Sequence, residues 1–547
     1  MSGEREPFNK TPEEYFDVEL PIDGGWFEAP EKNEEVDNTP EFLTEDAELE
    51  DALDKIWGIA SEYHLDPFPT TFDLAPAKII NQIAAYNIPN RFSHWTFGRN
   101  YRVQRTQYEH GMGKIYELVI NSDPAQAYLM ENNAPIDNKL VMAHVLGHTD
   151  FFKHNKLFEN TKRDMPAIAA RSAERFHGYE ESEGSMEVEK FLDAVLSLDE
   201  YSDPYNPDRP YKDDEIEQWT RTAQRKLDLE NMPVENKFAD IMAIGGVKKQ
   251  AEVRRNKKAV VHIPPEPDQD ILGFLRNHAP YLEDWQRDVI DVVRDESNYF
   301  FPQKRTKIMN EGWAAYWHKR IMREMGTRGH ITNSEDESWM HLHAGIVTES
   351  GKSLNPYHVG MKMYEYLEDY YNGNLNAKET DWLERQGKTV YPKYDGPLED
   401  SPATEALRDI MIHNDDQSFM RNYFDKNIAD RLHMYTYETK TDYFGNEYKV
   451  VKSNGWEDIR SQLVNMLDNN GTPRISVIES DYARSSELYL AHDFDGRALD
   501  QDYINKTLPY VYQIWQKTVH LETYDGDEGG KLVYKYDGHS ITTYKKS

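Results

Sequence analysis

The chain has 547 residues, too many for a single hydrophobic core, and its 38% hydrophobic and 12% aromatic content is enough for two or three folded domains. Aspartate and glutamate number 98 against 63 lysines and arginines, a formal net charge of -35, which disfavours nonspecific binding to nucleic acid or an anionic membrane. With no cysteine, disulfides, thiolate zinc sites, iron–sulfur clusters and cysteine nucleophiles are all excluded, so any metal must be held by His, Asp or Glu.

The start, "MSGEREPFNKTPEEYF", has no apolar signal core, and no stretch reaches the ~18 apolar residues of a membrane span. A cytoplasmic location is therefore expected, and the acidity also suits a salt-rich cytoplasm. Residues 1–44 are acidic and proline-punctuated and read as a largely disordered arm. Helical spacing begins in "EDAELEDALDKIWGIASEYH", with Leu49, Leu53, Ile56 and Ile59 three and four apart. "DLAPAKIINQIAAYNIP" predicts a second helix, opened near Pro76 and stopped before Pro89. "NRFSHWTFGRNY" reads as an aromatic loop, and "KIYELVINSDP" suits strand or helix, with Tyr116, Val119 and Ile120 favouring strand.

"PIDNKLVMAHVLGHTDFFKHN" predicts a helix with Pro135 in its first turn and a stripe of Leu140, His144, His148, Phe151 and Asn155. Residues 198–216 are rich in Pro and Asp and read as an exposed linker. "KKQAEVRRNKK" at 248–258 is the one dense basic patch, better suited to a solvated face or to the chain's own acidic segments than to nucleic acid. Helical periodicity resumes after "PPEP" and runs to about residue 325, then returns from "NPYHVGMKMYEYLEDYY" to "RNYFDKNIADRLHMY". From 441 the texture becomes β-α-β-β-α-β, the order of a small split-βαβ, ferredoxin-like domain. The expected architecture is thus an arm (1–44), a mainly helical core (45–440) and an α+β C-terminal domain (441–547).

His144 and His148, four apart, share one helix face and can reach one ion. Gly147 leaves space beside the second histidine, and Asp150 is a candidate to orient a ligating imidazole. The same spacing also suits two hydrogen-bonded core histidines. The second stretch is "MNEGWAAYWHKR", where Glu311 is a lone carboxylate in an apolar helix and needs a partner. Glu311, Ala314, Ala315 and His318 lie on one face, whose small residues let another helix approach. Meeting the histidine helix there would assemble two histidines and one glutamate, the donor set of catalytic zinc sites. The competing reading is a buried pair of Glu311 with an arginine or with His318. "GIVTESGKS" fails as a phosphate loop, with five residues between its glycines where four are needed. "HLH" at 341–343 reads as polar surface.

These stretches, with "HWTFGRNY", "YELVINSDPAQAYLMENN", "NPYHVGMKMYEYLED", "RNYFDKN" and "ELYLAHDFDGRALD", resemble the SpoVR family, named for stage V sporulation protein R, from about residue 45 to 525. The resemblance implies a cytoplasmic protein linked to spore-cortex formation or, in organisms that form no spores, to a stress programme. It also implies company with a PrkA-type serine protein kinase and a von Willebrand A-like protein. No catalytic activity follows from it.

More distantly, "HVLGH" with "NEGWAAY" is similar to the paired motifs of zincin-type metallopeptidases. By position His144, His148 and Glu311 would then ligate a divalent metal, with zinc expected from the usual preference of that donor set, on a zincin-like helix pair. The departure is Val145, which stands where those enzymes carry the glutamate that takes a proton from water. Asp150, Glu109, Glu117 and His318 are the candidate substitutes. Three functions fit: metal-dependent amide hydrolysis, a noncatalytic regulatory scaffold, or a non-haem iron oxidoreductase.

Overall fold

The fold is a computed structural model, which describes residues 41–42, 47–109, 118–205, parts of 218–225, 263–348, 354–441, 447–453, 455–524 and 530–546. The basic patch, Glu117 and nearly all of the 1–44 arm lie outside these residues, as does most of the 198–216 linker.

In chain order the helices are α1 (Ala47–Glu62), α2 (Ala77–Tyr86), α3 (Trp95–Glu109), α4 (Pro135–His154), α5 (Met165–Tyr179) and α6 (Ser185–Leu196). Then follow α7 (Ile271–His278), α8 (Asp284–Arg305), α9 (Lys307–Thr327), α10 (Asn333–Ile346) and α11 (Pro356–Tyr371). The last are α12 (Ala377–Arg385), α13 (Pro402–His413), α14 (Asp416–Tyr423), α15 (Lys426–Arg431), α16 (Trp456–Leu467) and α17 (Gln501–Trp515). The strands are β1 (Glu41–Phe42), β2 (Thr70–Ala75), β3 (Leu118–Ile120), β4 (Ala125–Met130), β5 (Thr436–Thr441) and β6 (Glu447–Ser453). They continue with β7 (Ile475–Tyr482), β8 (Glu487–His492), β9 (Val519–Tyr524), β10 (Lys531–Tyr536) and β11 (Ile541–Lys546).

A four-stranded sheet, ordered β1-β2-β4-β3, is parallel except for β3 at its edge. Alternation along β4 sends Ala125, Ala127 and Leu129 into one hydrophobic cluster with α1 and α4. Tyr128 and Met130 go to the other face, against Ile80 and Ile83 of α2. Helices on both faces explain why these strands read as apolar runs.

Helices α4 and α9 are the centre of the larger cluster. Every residue of α4 from Asn138 to Phe152 is buried, and so is α9 from Ile308 to His318. A helix buried all round needs neighbours on every side, and here small residues provide the approach. A Cβ on Gly147 would lie 2.6 Å from the Ala314 Cα, so α4 and α9 touch backbone to backbone at that point. On its other side α9 meets α11 with Gly312 against Gly360, where a Cβ on either would collide with the opposite main chain. The buried Asp416 carboxylate accepts the Ile308 and Met309 N–H groups, both at 2.8 Å, and so closes the α9 N-terminus.

Two expectations need correction. "HWTFGRNY" is the start of helix α3 rather than a loop: Phe97 is buried against Phe92, and the Arg91 guanidinium lies over its ring at 4.1 Å. Tertiary packing of the aromatics decides that segment, and their strand-like composition does not. The C-terminal elements occur in the expected order, but their pairing is not split-βαβ. Strand β6 leaves for a hairpin with β5, and two further strands complete a five-stranded sheet ordered β11-β10-β9-β8-β7. Its β8–β9 pair is parallel across α17, and the other pairs are antiparallel. One face of this sheet, through Val477, Leu488, Leu490 and Leu521, shares a second cluster with Phe191, Leu275, Val289 and Ile514. The sheet thus closes on helices drawn from residues 185–293 as well as on its own α17.

Candidate metal centre

Local sequence fixes the histidine helix. Pro135 occupies its first turn, Asp137 complements the N-terminal end of the dipole, and Lys153 and His154 the C-terminal end. His144 and His148 project one turn apart with ring centroids 4.6 Å apart, edge to face. The Gly147–Ala314 contact brings α9 alongside, and Glu311 arrives between the two rings.

The Glu311 Oε2 atom lies 3.6 Å from His144 Nε2 and 3.4 Å from His148 Nε2. His144 and His148 are 3% and 4% exposed and Glu311 9%. One donor atom from each of the three lies within 4.8 Å of the others, and no fourth His, Asp or Glu joins them among the described residues. These separations are too long for good hydrogen bonds, and Glu311 Oε2 makes none. They do fit a shared ion: four donors about 2.1 Å from a tetrahedral centre stand about 3.4 Å apart. A buried carboxylate oxygen facing two imidazole nitrogens across such a gap is a donor set that could hold a divalent cation.

The surroundings orient the donors. His148 Nδ1 is 2.9 Å from Asn310 Oδ1, so that ring is held as the Nδ1–H tautomer with Nε2 facing Glu311. His144 Nδ1 is 2.6 Å from His318 Nδ1, and His318 Nε2 is 2.7 Å from His343 Nδ1 on α10. Phe152 stacks on His148, and Tyr357 of α11 packs 5.9 Å from the His144 ring centroid. Lys307, largely exposed, approaches Glu311 Oε1 at 3.5 Å and marks the solvent side. Burial pushes the Glu311 carboxyl up, but the two imidazoles and Lys307 outweigh it and hold it well below the usual range. Burial pushes His318 well below the ordinary histidine value, with His144 and His343 adding to the effect. Burial likewise brings His343 down to about 4, with Lys319 contributing.

Of the sequence-derived residues, His144, His148 and Glu311 come together. His318 lies behind His144, bonded to it and to His343, and is not paired with Glu311. Asp150 does not orient a ligand: two residues beyond His148 it points elsewhere, fully buried. Trp313 Nε1 donates to its Oδ2 at 2.9 Å, and the Asp66 N–H and the Arg408 guanidinium donate to its Oδ1. Glu109 ends α3 with its side chain outside the described atoms, and Glu117 lies outside the described residues altogether. Val145 is fully buried. Sequence reasoning missed Asn310 and His343. Asn310 was visible as a second polar residue beside Glu311 in an apolar run; the "HLH" reading as polar surface holds for exposed His341 but fails for buried His343.

A mainly helical protein with a buried two-histidine, one-glutamate cluster is the class that fold and site define. Residues 44–472 match the family described as SpoVR like protein and residues 473–526 the SpoVR-like C-terminal domain. The chain belongs to the SpoVR family. It is 29% identical over 495 residues to a protein of Escherichia coli (strain K12) named "Uncharacterized protein YcgB", across 88% of this chain and 92% of that one. No solved structure matches it. Among the described residues no helix is long and apolar enough to cross a membrane.

Proposed function

We propose that this SpoVR-family chain is a metalloprotein whose divalent ion, zinc by preference, is held by His144, His148 and Glu311 and serves hydrolysis of an amide bond. The observation that carries the reading is the gap itself: Glu311 Oε2 at 3.4 and 3.6 Å from two Nε2 atoms, buried and without a hydrogen bond. Bound there, the ion supplies Lewis acidity to a carbonyl oxygen. The chain's own residues do the rest. Asn310 keeps His148 in the donating tautomer, Glu311 balances charge, and Lys307 stands at the solvent side, where an anionic substrate group would be met. Peptidoglycan-derived and protein amides are the substrate classes to test first. The family resemblance extends the proposal to a cytoplasmic role in spore-cortex formation or a stress programme, beside a PrkA-type serine kinase and a von Willebrand A-like partner.

A second reading, a noncatalytic regulatory scaffold with a structural ion, is favoured by one specific observation. Val145 cannot accept a proton, and among the described residues no second carboxylate joins the donors. Hydrolysis then needs a base from outside the three donors, for which Glu109 and Glu117 remain candidates from the sequence alone.

Elemental analysis of the purified chain beside His144→Ala and Glu311→Ala tests the centre. One zinc per chain, lost in both variants, is expected; equal metal content in all three proteins ends the reading. Iron in place of zinc transfers it to the two-histidine, one-carboxylate oxidoreductases. Chelator-sensitive cleavage of peptidoglycan fragments or peptides then separates enzyme from scaffold.

A further inference from the structure

Behind His144 runs a line of imidazoles leading to α10, a helix that packs on the core through Trp339, Leu342 and Ile346. His144 Nδ1 contacts His318 Nδ1 at 2.6 Å, and His318 Nε2 contacts His343 Nδ1 at 2.7 Å. All three rings are buried, His318 almost completely at 1% exposed. Helix α10, which carries His343, buries only Trp339 and His343 of its fourteen residues.

We propose that His318 and His343 are positioning residues of the metal centre, forming with His144 a one-way chain of neutral imidazoles whose direction is set by the occupancy of the site. The proposal rests on the reading of His144, His148 and Glu311 as ligands, and it assigns what lies behind them. A neutral imidazole has one N–H and one lone pair. If His144 Nε2 gives its lone pair to an ion, its proton must be on Nδ1, and the only course at 2.6 Å is donation to His318 Nδ1. That forces the His318 proton onto Nε2, where it is donated to His343 Nδ1. The His343 proton is then on Nε2, facing away from the site. One ligation event therefore fixes three tautomers. Without the ion, the opposite polarity satisfies the same two contacts, since His343 Nδ1–H can donate to His318 Nε2 and His318 Nδ1–H to His144.

The chemistry of this chain differs from the usual arrangement. A ligating histidine commonly donates to a carboxylate or a backbone carbonyl, and a carboxylate raises the basicity of the ring. His144 donates instead to a neutral ring and gains less basicity. Glu311 is then the single negative group among the donors, and the ion retains more of its positive charge. His148 has a neutral partner as well, the Asn310 amide. Both histidines are thus held in direction without being enriched in charge.

The test compares wild type with His318→Leu, His343→Leu and His343→Gln, measuring zinc affinity by chelator competition and the visible spectrum of the cobalt(II)-substituted protein. His318→Leu is expected to weaken zinc binding by about 10–100-fold, the usual loss for a partner behind a ligand, and to shift the cobalt bands. His343→Leu removes the acceptor for His318 and should cost about tenfold. In His343→Gln the amide oxygen can accept the same proton, so affinity and spectrum should return most of the way to wild type. Selective nitrogen-15 labelling of histidine adds a direct readout, because loading zinc should leave His318 with a protonated Nε2 and an unprotonated Nδ1. If His318→Leu does not fold, the His343 pair decides alone. Wild-type affinity and an unchanged cobalt spectrum in both leucine variants would overturn the chain while leaving the metal centre standing. A wild-type protein that binds neither zinc nor cobalt removes the centre and the chain with it.

Discussion

Helices α4 and α9 hold two buried polar clusters within a turn of each other, and the two are built on opposite rules. At Asp150 every acceptor has a donor: Trp313 Nε1 on Oδ2, and the Asp66 N–H and Arg408 on Oδ1. At Glu311 the buried Oε2 has no hydrogen bond and faces two nitrogens across more than 3.3 Å. Buried carboxylates in proteins are nearly always satisfied, because leaving one unpaired costs several kcal/mol. The Asp150 cluster therefore reads as structure. The Glu311 cluster, equally buried and within reach of the same backbone, reads as a place kept for something else. Of the two buried carboxylates, only Glu311 has an oxygen left for a ligand to use.

The largest effect expected from this contrast is at Asp150. Replacing it with Ala leaves the Trp313 N–H buried without this partner. It also takes the carboxylate from Arg408, which is about a quarter exposed and keeps its bond to the His64 carbonyl. The loss should fall towards the lower end of the about 3–5 kcal/mol for breaking a buried charged pair. Denaturant unfolding of Asp150→Ala should show that loss, while the folded fraction should carry as much metal as wild type. A variant of undiminished stability that has lost its metal would reverse the roles given to the two carboxylates.

A smaller effect is expected where α9 meets α11. Glu365 bonds Lys319 at 2.5 Å and Lys362 at 2.9 Å. Burial pushes its carboxyl up, but the two ammonium groups outweigh burial and bring it down to about 2. A carboxyl lowered in the folded state contributes stability that is full above its ordinary value of 4.5 and is lost as pH falls towards 2. Stability of the wild type should therefore drop between pH 5 and pH 2 by more than that of Glu365→Gln, by on the order of 1 kcal/mol for a pair near the surface. Parallel acid-denaturation curves for the two proteins would show that this cluster, although satisfied, contributes nothing.

How far the sequence carried the site follows from which contacts are local. The i, i+4 histidines, the proline at the start of α4, the small residues facing Glu311 and the lone carboxylate itself are all properties of one helix at a time, and the structure brings them together. Asp150 was also open to local geometry, since two residues on a helix are about 200° apart and cannot share the His148 face. His343 was not. Helix α10 has a polar texture, and the burial of one of its imidazoles comes from α9, some 25 residues earlier in the chain. Likewise β6 carries the right pattern for the C-terminal sheet, yet it pairs with β5, and register between strands is decided by partners that periodicity does not name. The aromatic run at α3 was misjudged for a related reason: Phe97 is there to pack on Phe92, and that contact, not propensity, sets the backbone.

The smallest change in stability, and the sharpest test of the contrast, is expected from Glu311→Gln. The substitution keeps the shape of the side chain and removes its charge. If Glu311 were a structural carboxylate like Asp150, the change would destabilise the metal-free protein by several kcal/mol. The geometry predicts a small net change, because Oε2 holds no hydrogen bond to lose, and the attraction of the two imidazoles and Lys307 that the charge forfeits is largely offset by the cost of keeping a charged carboxylate buried, which Gln is spared. Metal-free wild type and Glu311→Gln should therefore unfold within about 1 kcal/mol of each other. The difference should appear only on adding zinc: wild type gains stability as RT ln(1 + [L]/Kd), about 2.7 kcal/mol at one hundred times Kd, and the variant gains far less. Equal stabilisation of the two proteins by zinc would show that the ion binds elsewhere. A large deficit in the metal-free variant would show that Glu311, like Asp150, belongs to the fold before it belongs to the site.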